Sequence, residues 1–349
     1  MSANRLTLAL ELGAVALPDS GPVAVFTDSV PDLPDPLSLD RVQVVSPLWP
    51  TVALMRARGI AASAVDRGPH SAAIVRATRS RAATRLALGR AMAATLPGGP
   101  VLIDGQKTDG IDALLREVRA RVPVPDSFVK HHGRLFRIAA DPHAFEDWAR
   151  IAEDWPQAGG FHTAPGGFSA GGPDPASVAL ADALPEQLPK RIADLGAGWG
   201  YLAARILSRP EVAHVDLVEA HHGALAAARC NISDARAQFH WADATTWVPD
   251  TPVDAIVMNP PFHSGRAADP SLGQAFLTSA ARILDRSGVL WVVANRQLPY
   301  EATIAELFAR VETHPAPAGF KIIIARQPRR TSRTTAVRTD KESVRDLFR

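Results

Sequence analysis

Short apolar runs rich in Val, Ile and Ala recur along the chain, each bounded by Gly, Pro or Asp and followed by a stretch with helical spacing. In the first half, residues 22–26, 42–45 and 72–76 read as buried strands. A helix is predicted over 81–96, a strand over 101–104, a helix over 111–121, an extended stretch over 128–138 and a helix over 144–151. In the second half, strands are predicted over 191–195, 214–218, 237–241 and 253–258, with helices over 201–207 and 224–231. Residues 6–17 read as a first helix, since Glu11 interrupts the run and an uncharged secretory core is not formed. Alternating strands and helices specify a sheet that is parallel or mostly parallel.

The halves repeat one pattern. Ala73-Ile74-Val75-Arg76 precedes a helix, Gly98-Gly99 and Val101-Leu102-Ile103, as Ala255-Ile256-Val257-Met258 precedes a helix, a Ser287-Gly288 turn and Val289-Leu290-Trp291. Gly133-Arg134-Leu135-Phe136 stands where Gly319-Phe320-Lys321-Ile322 stands later. This reads as two copies of one α/β unit. A Gly/Pro-rich stretch over 155–175 lies between them, as a domain boundary or a lid.

Chemistry-bearing residues gather at the strand ends of the second copy. After Asp194-Leu195 comes Gly196-Ala197-Gly198-Trp199-Gly200, a glycine turn between strand and helix. A dinucleotide fingerprint requires glycine where Tyr201 stands, so a different nucleotide-bearing ligand is indicated. The next strand ends in Glu219, placed to accept from both hydroxyls of a ribose. The third ends at Asp243-Ala244, where a carboxylate can accept from an exocyclic amine. The fourth ends in Asn259-Pro260-Pro261-Phe262-His263. Proline stops the strand and keeps the residue before it extended. The corner thus offers an amide, a backbone carbonyl and an aromatic ring to a planar group bearing NH2. Alone, it is also what an ordinary proline turn looks like. In the first copy Ala77-Thr78-Arg79 occupies the place of Asn-Pro-Pro, and no glycine-rich loop follows the strand at 22–26.

Composition narrows this reading. Apolar residues make up 46% and charged residues 21%, as in a soluble globular protein, and 349 residues suffice for two domains. A net charge of +2 means that any nucleic-acid contact rests on local patches. One patch is Arg76, Arg79, Arg81, Arg85 and Arg90, read either as a phosphate-contacting surface or as a solvated helix face. Another is the basic tail beyond Gln327. Cys230, the single cysteine, excludes an internal disulfide and a cysteine-based zinc site. No segment is long and apolar enough to span a bilayer.

The ordered series of glycine turn, two acids and Asn-Pro-Pro-Phe resembles class I S-adenosylmethionine-dependent methyltransferases that act on amines. With Pro165-Gly166-Gly167-Phe168-Ser169, Ala294-Asn295-Arg296-Gln297-Leu298-Pro299-Tyr300 and Gly319-Phe320-Lys321, the chain resembles the bacterial ribosomal RNA guanine-N2 methyltransferases of the RsmC type. The motifs cover the second half nearly throughout; the first half matches in architecture. Gly167 stands where an apolar residue is expected.

The resemblance implies an α/β fold of two tandem Rossmann-like domains, each a seven-stranded mostly parallel sheet flanked by helices. Residues 1–155 would form a degenerate copy with an RNA-recognition or structural role, and 156–349 the catalytic domain with its basic tail. It implies transfer of a methyl group from S-adenosyl-L-methionine to a guanine N2 amine, with 16S ribosomal RNA or the small subunit as partner, no metal, no membrane, a monomer and a cytoplasmic location. Asp194, Gly196, Gly198 and Gly200 would line the methionine part of the cofactor. Glu219 would hold the ribose, and Asp243 with Ala244 would face the adenine. Asn259 would also border the cofactor, and with the Pro260 carbonyl it would accept from the amine. Phe262 would stack on the base, and Pro261, His263 and Phe168 would complete the substrate side. A structural role for His263, bracing its loop, is weighed beside that contact. Arg296, Tyr300 and Lys321 are candidate RNA contacts. Other acceptors remain open: large-subunit guanine N2, adenine N6 or a protein glutamine. So does a non-catalytic RNA-binding or assembly factor. Deleting 1–155 is expected to impair RNA recognition or stability more than cofactor binding.

Overall fold

The computed structural model describes residues 5–34, 37–150, 157–261, 263–264, 267–268 and 270–329. The first copy contains α1 (Arg5–Glu11), β1 (Val23–Phe26), β2 (Val42–Val45), α2 (Trp49–Ala57), β3 (Ala61–Ser63), β4 (Ala72–Arg76), α3 (Arg81–Ala94), β5 (Pro100–Gln106), α4 (Ile111–Arg119), β6 (Asp126–Lys130), β7 (Gly133–Ala139) and α5 (Glu146–Ala149). A two-stranded ribbon, β8 (Gln157–Ala158) and β9 (Phe161–His162), follows. The second copy contains α6 (Pro175–Ala183), β10 (Arg191–Leu195), α7 (Tyr201–Leu207), β11 (His214–Glu219), α8 (His222–Asn231), β12 (Ala237–Trp241) and β13 (Val253–Met258). It continues through the ribbon β14 (His263–Ser264) and β15 (Ala267–Ala268), then α9 (Pro270–Ile283), β16 (Leu284–Asn295), α10 (Tyr300–Leu307), β17 (Phe308–Pro315) and β18 (Phe320–Pro328).

The repeat read from the sequence is repeated in the topology. One seven-stranded sheet runs β3-β2-β1-β4-β5-β7-β6 and the other β12-β11-β10-β13-β16-β18-β17, the same order strand for strand. Within each, six strands run in one direction and the sixth in the order, β7 or β18, runs antiparallel between its two neighbours. Strand order reverses between β1 and β4, and between β10 and β13. Ligands of open α/β sheets bind in the crevice beyond the strand ends at such a reversal. Helices cover both faces of each sheet, so β1 is buried at all four positions and β13 at five of six.

Local differences from the sequence pattern have identifiable causes. The extended stretch at 128–138 is the β6–β7 hairpin, turned at His131 and His132, both at positive φ. The first helix stops at Glu11, and Gly13 follows at φ 66°. Ser287-Gly288 is an irregularity inside β16 rather than a turn before it: the register jumps from Val253↔Leu284 to Ala255↔Val289. The pattern did not show α2, β3 or α6. Pro50 and Pro175 disguised the two helices, yet proline at a helix start costs no hydrogen bond.

The arginine run of the first copy is largely neutralised within the fold. Arg76 pairs with Asp104, Arg81 and Arg85 with Glu117, and Arg90 with Asp66. This supports the solvated and structural reading of that face over the phosphate-contacting one. Asp104 is buried between Arg76 and Arg5. Gly89 of α3 lies directly against α5: an added Cβ would stand 2.4 Å from the Ala149 nitrogen and 2.7 Å from the Trp148 carbonyl carbon.

The copies meet through backbone hydrogen bonds as well as side chains. The Trp49 N–H donates to the Ala220 carbonyl at 2.9 Å, and the His222 N–H to the Pro47 carbonyl at 2.7 Å. The Trp241 ring lies edge-on to both Trp49 and His222, each with centroids 5.1 Å apart.

Candidate active site

The site is built at the carboxyl ends of β10, β11, β12 and β13. Parallel register sets Asp194 beside Leu217 on one side and Val257 on the other, so the chain leaves the sheet here at one level. Gly196, Gly198 and Gly200 all have positive φ (76°, 57° and 90°), which a residue with a Cβ adopts only with strain. The turn is fastened by the Gly196 N–H donating to the Val218 carbonyl at 2.9 Å and by the Gly200 N–H to the Ala197 carbonyl at 2.9 Å. Its middle is tied to the next strand end, where the Gly198 N–H donates to Glu219 Oε2 at 2.8 Å and the His221 N–H to Oε1 at 2.7 Å.

Two carboxylates here are perturbed. Asp194 is fully buried, and neither oxygen has a hydrogen-bond partner. Burial, reinforced by the charge of Glu219, pushes its carboxyl up to about 7; the Ala203 amide opposes this without reaching hydrogen-bonding geometry. Burial also raises the Glu219 carboxyl, against the pull of its amide donors. His221 caps α8 through Nδ1, which accepts from the Ala224 N–H at 3.1 Å. Burial holds that imidazole down at about 4 and so keeps it a neutral acceptor. Asp243 folds its own loop: Oδ1 accepts from the Thr245 N–H at 2.8 Å and hydroxyl at 2.7 Å. Ala244 is buried, and its carbonyl accepts from the Ser279 hydroxyl at 2.7 Å.

Asn259 is half-buried, Pro260 buried and Pro261 exposed. The Asn259 Nδ2 donates to Asp174 Oδ2 at 2.9 Å and to Ser177 Oγ at 3.0 Å. Phe262 and the side chain of His263 lie outside the described residues, as does the tail beyond residue 329. A narrow cleft of about 40 Å³ brings Asn259 together with Gly196, Gly198, Trp199, Asp174 and Phe168. Phe168 is 58% exposed at its mouth, and its carbonyl accepts from the Trp199 indole N–H at 3.2 Å. A roomier cavity, about 270 Å³, lies at the seam between Phe26, Arg90 and His222. It has neither a glycine turn nor an Asn-Pro-Pro corner, whereas the narrower cleft is lined by Gly196, Gly198 and Asn259.

Two expected RNA contacts are internal instead. Tyr300 is fully buried. Lys321 is 5% exposed, and its Nζ donates to the Arg296 and Leu298 carbonyls at 3.1 and 2.6 Å and to Glu301 Oε1 at 2.6 Å. It holds the loop after β16 and does not face solvent. Conversely, Asp174 and Ser177 were not singled out by the sequence. The readable signal was Asp174-Pro175, an N-cap residue followed by proline at N1.

A doubly wound sheet with a glycine turn, an acid at the second strand end and Asn-Pro-Pro at the fourth defines a Rossmann-like methyltransferase. Residues 158–324 match the methyltransferase small domain family. A ribosomal RNA small subunit methyltransferase C from Pseudomonas paraeruginosa is 30% identical over 270 residues, spanning 75% of this chain and 80% of that protein. The chain belongs to the family of these ribosomal RNA methyltransferases. A large subunit methyltransferase G from a Shewanella species is 30% identical over 244 residues, spanning 66% of this chain and 64% of that protein, just under two thirds of its length. A T. thermophilus 16S rRNA N2 methyltransferase solved with AdoMet and guanosine shares the fold over 91% of both chains, with a TM-score of 0.71 at 24% identity.

Proposed function

We propose that the chain transfers a methyl group from S-adenosylmethionine to the exocyclic N2 amine of a guanine in ribosomal RNA, with 16S RNA in the small subunit as the leading substrate. The observation that carries this reading is that the Gly196–Gly200 turn and Asn259 line one cleft. The residues present fit the cofactor. Three positive-φ glycines let a ligand approach the backbone closely. Asp194, buried and unpartnered, suits the ammonium of a methionine group, and Glu219 stands where a ribose is held. Asp243 and Ala244 form the adenine side. When bound, S-adenosylmethionine supplies a methyl group activated on a sulfonium.

The chain's own residues then act by position. Asn259 Oδ1 and the Pro260 carbonyl accept from the two N2 hydrogens, which turns the nitrogen lone pair toward the methyl group and draws it out of conjugation with the ring. Holding two reactants in line is worth several kcal/mol, on the order of 7 or more in the best cases. Phe262 stacks on the base, which must leave its helix to reach the cleft. Pro261, His263 and Phe168 close the substrate side. Residues 156–349 carry the chemistry. Residues 1–155 wall the cofactor loop and dock RNA. The enzyme acts as a cytoplasmic monomer and needs no metal.

Methyl transfer from labelled S-adenosylmethionine to ribosomal RNA or small subunits tests this reading. Digestion is expected to yield N2-methylguanosine; label found only in protein or as N6-methyladenosine would refute it. A second reading, guanine N2 of large-subunit RNA, draws support from the Shewanella relative. Assaying both subunit RNAs separately distinguishes the two. Asn259→Ala is expected to abolish transfer while the cofactor still binds.

A further inference from the structure

The side-chain amide of Asn259 has a fixed orientation. An amide NH2 carries two hydrogens, and both are used: one goes to Asp174 Oδ2 at 2.9 Å, the other to Ser177 Oγ at 3.0 Å. These partners lie 85 and 82 residues away in sequence, at the start of α6. Turning the amide over would set Asn259 Oδ1 against a carboxylate oxygen, two acceptors face to face. Oδ1 is therefore the atom left to point away from α6.

Asp174 and Ser177 are themselves anchored. Asp174 is the N-cap of α6, and the same Oδ2 accepts from the Ser177 N–H at 3.0 Å. Pro175 fixes the backbone between them at the first helical position. Ser177 is buried to 7% exposure. One carboxylate oxygen thus ties the helix start and the amide into a single unit. A hydrogen bond to an ionised acceptor is also stronger than a neutral one, and it polarises the amide so that Oδ1 gains negative charge.

We propose that Asp174 and Ser177 are positioning residues for methyl transfer: they lock Asn259 with Oδ1 presented as an acceptor to the amine. The proposal rests on the reading of Asn259 as the amine acceptor. It extends that reading to specificity, because an oxygen locked in this direction attracts an NH2 and repels a carbonyl. A base carrying oxygen in place of the amine is excluded by the same two hydrogen bonds that orient the amide.

The test uses the full chain and three variants, with kcat and KM for RNA, the dissociation constant for S-adenosylmethionine and thermal stability measured for each. Asp174→Ser keeps a capping hydroxyl for α6 but is too short to reach Asn259. Its kcat is expected to fall on the order of 10²-fold with cofactor affinity unchanged, the scale set by a misplaced reacting group. Ser177→Ala is expected to lower kcat roughly five-fold, the scale of one hydrogen bond. Asp174→Asn retains an oxygen for both donors and is expected to restore most of the kcat lost in Asp174→Ser. Weakened cofactor binding with kcat preserved would overturn the proposal by making Asp174 a cofactor contact. Unchanged kcat in both Asp174→Ser and Ser177→Ala would overturn it as well. If the wild-type chain methylates a different amine, the guanine reading fails, while the same kcat pattern on that amine upholds the positioning role. A wild-type chain that methylates no RNA amine overturns both.

Discussion

Trp49 of the first copy donates its backbone N–H to the carbonyl of Ala220, the residue directly after Glu219 in the second. The loop that would hold the cofactor ribose is thus fastened from the other half of the chain. His222 returns the bond to Pro47, and Leu48 bridges His221 in antiparallel fashion. This changes the outcome expected of deleting residues 1–155: on the proposed reading, the deletion would loosen the loop after Glu219 as well as impair RNA recognition. Trp49→Ala, a smaller perturbation, also removes the ring packed edge-on to Trp241. It is expected to cost roughly 1–3 kcal/mol of stability and to weaken S-adenosylmethionine binding severalfold. Thermal melts with and without cofactor measure both. Unchanged affinity would confine the seam to a purely structural role.

Asp194 makes stability depend on pH. Its carboxyl titrates near 3.8 when unfolded and near 7 when buried, so between those values the folded state holds a proton that the unfolded chain has lost. Stability from this group is complete below pH 3.8 and is lost as pH rises to about 7, a cost on the order of a few kcal/mol. Asp194→Asn is expected to raise the Tm of the cofactor-free protein at pH 8 and to flatten its slope across that window. The same variant is expected to bind S-adenosylmethionine more weakly. In the wild type, cofactor binding near pH 6 is expected to release a proton, detectable by calorimetry in buffers of different ionisation heat.

Lys321 distinguishes an RNA contact from an internal strut. Its ammonium satisfies the buried Leu298 carbonyl, the half-buried Arg296 carbonyl and Glu301. Lys321→Met would strand the buried Leu298 carbonyl while Glu301 stays open to solvent, and about 1–3 kcal/mol of stability is expected to be lost. RNA affinity of the protein that remains folded is expected to stay the same. Weaker RNA binding with an unchanged Tm would return Lys321 to the RNA surface.

Gly89→Ala places a methyl group inside the backbone of α5. No rotamer relieves that collision, so α5 must move. The expected cost is roughly 1–3 kcal/mol or more, read from denaturant unfolding. Gly89 packs on Trp148 and Ala149, away from the Trp49–Ala220 seam, so S-adenosylmethionine affinity is expected to be unaffected.

Much of the second sheet was legible because strands buried on both faces write themselves as unbroken apolar runs, as in Val253–Met258 and Arg191–Leu195. The glycine turn was legible because positive φ demands a particular residue. Helix α6 was hidden in a Gly/Pro-rich stretch, and with it Asp174 and Ser177. Their value lies in meeting Asn259, and no local pattern records a contact across 85 residues. Lys321 was misread, and the first-copy arginines were left between two readings, for the converse reason. Sequence shows a cation but not the carboxylates and carbonyls that neutralise it.

The paired Asp104 bears on the history of the duplication. In the first copy the end of β4 carries Arg76, locked to Asp104 and through it to Arg5, just before the place where the second copy carries Asn259. Reintroducing Asn-Pro-Pro at Ala77-Thr78-Arg79 would therefore not recreate a working corner. Moving Arg76 aside would leave the buried Asp104 carboxylate with Arg5 as its one remaining ion-pair partner among the described residues, at a cost in stability. The Arg5–Asp104–Arg76 cluster thus makes the end of β4 a structural joint in the first copy.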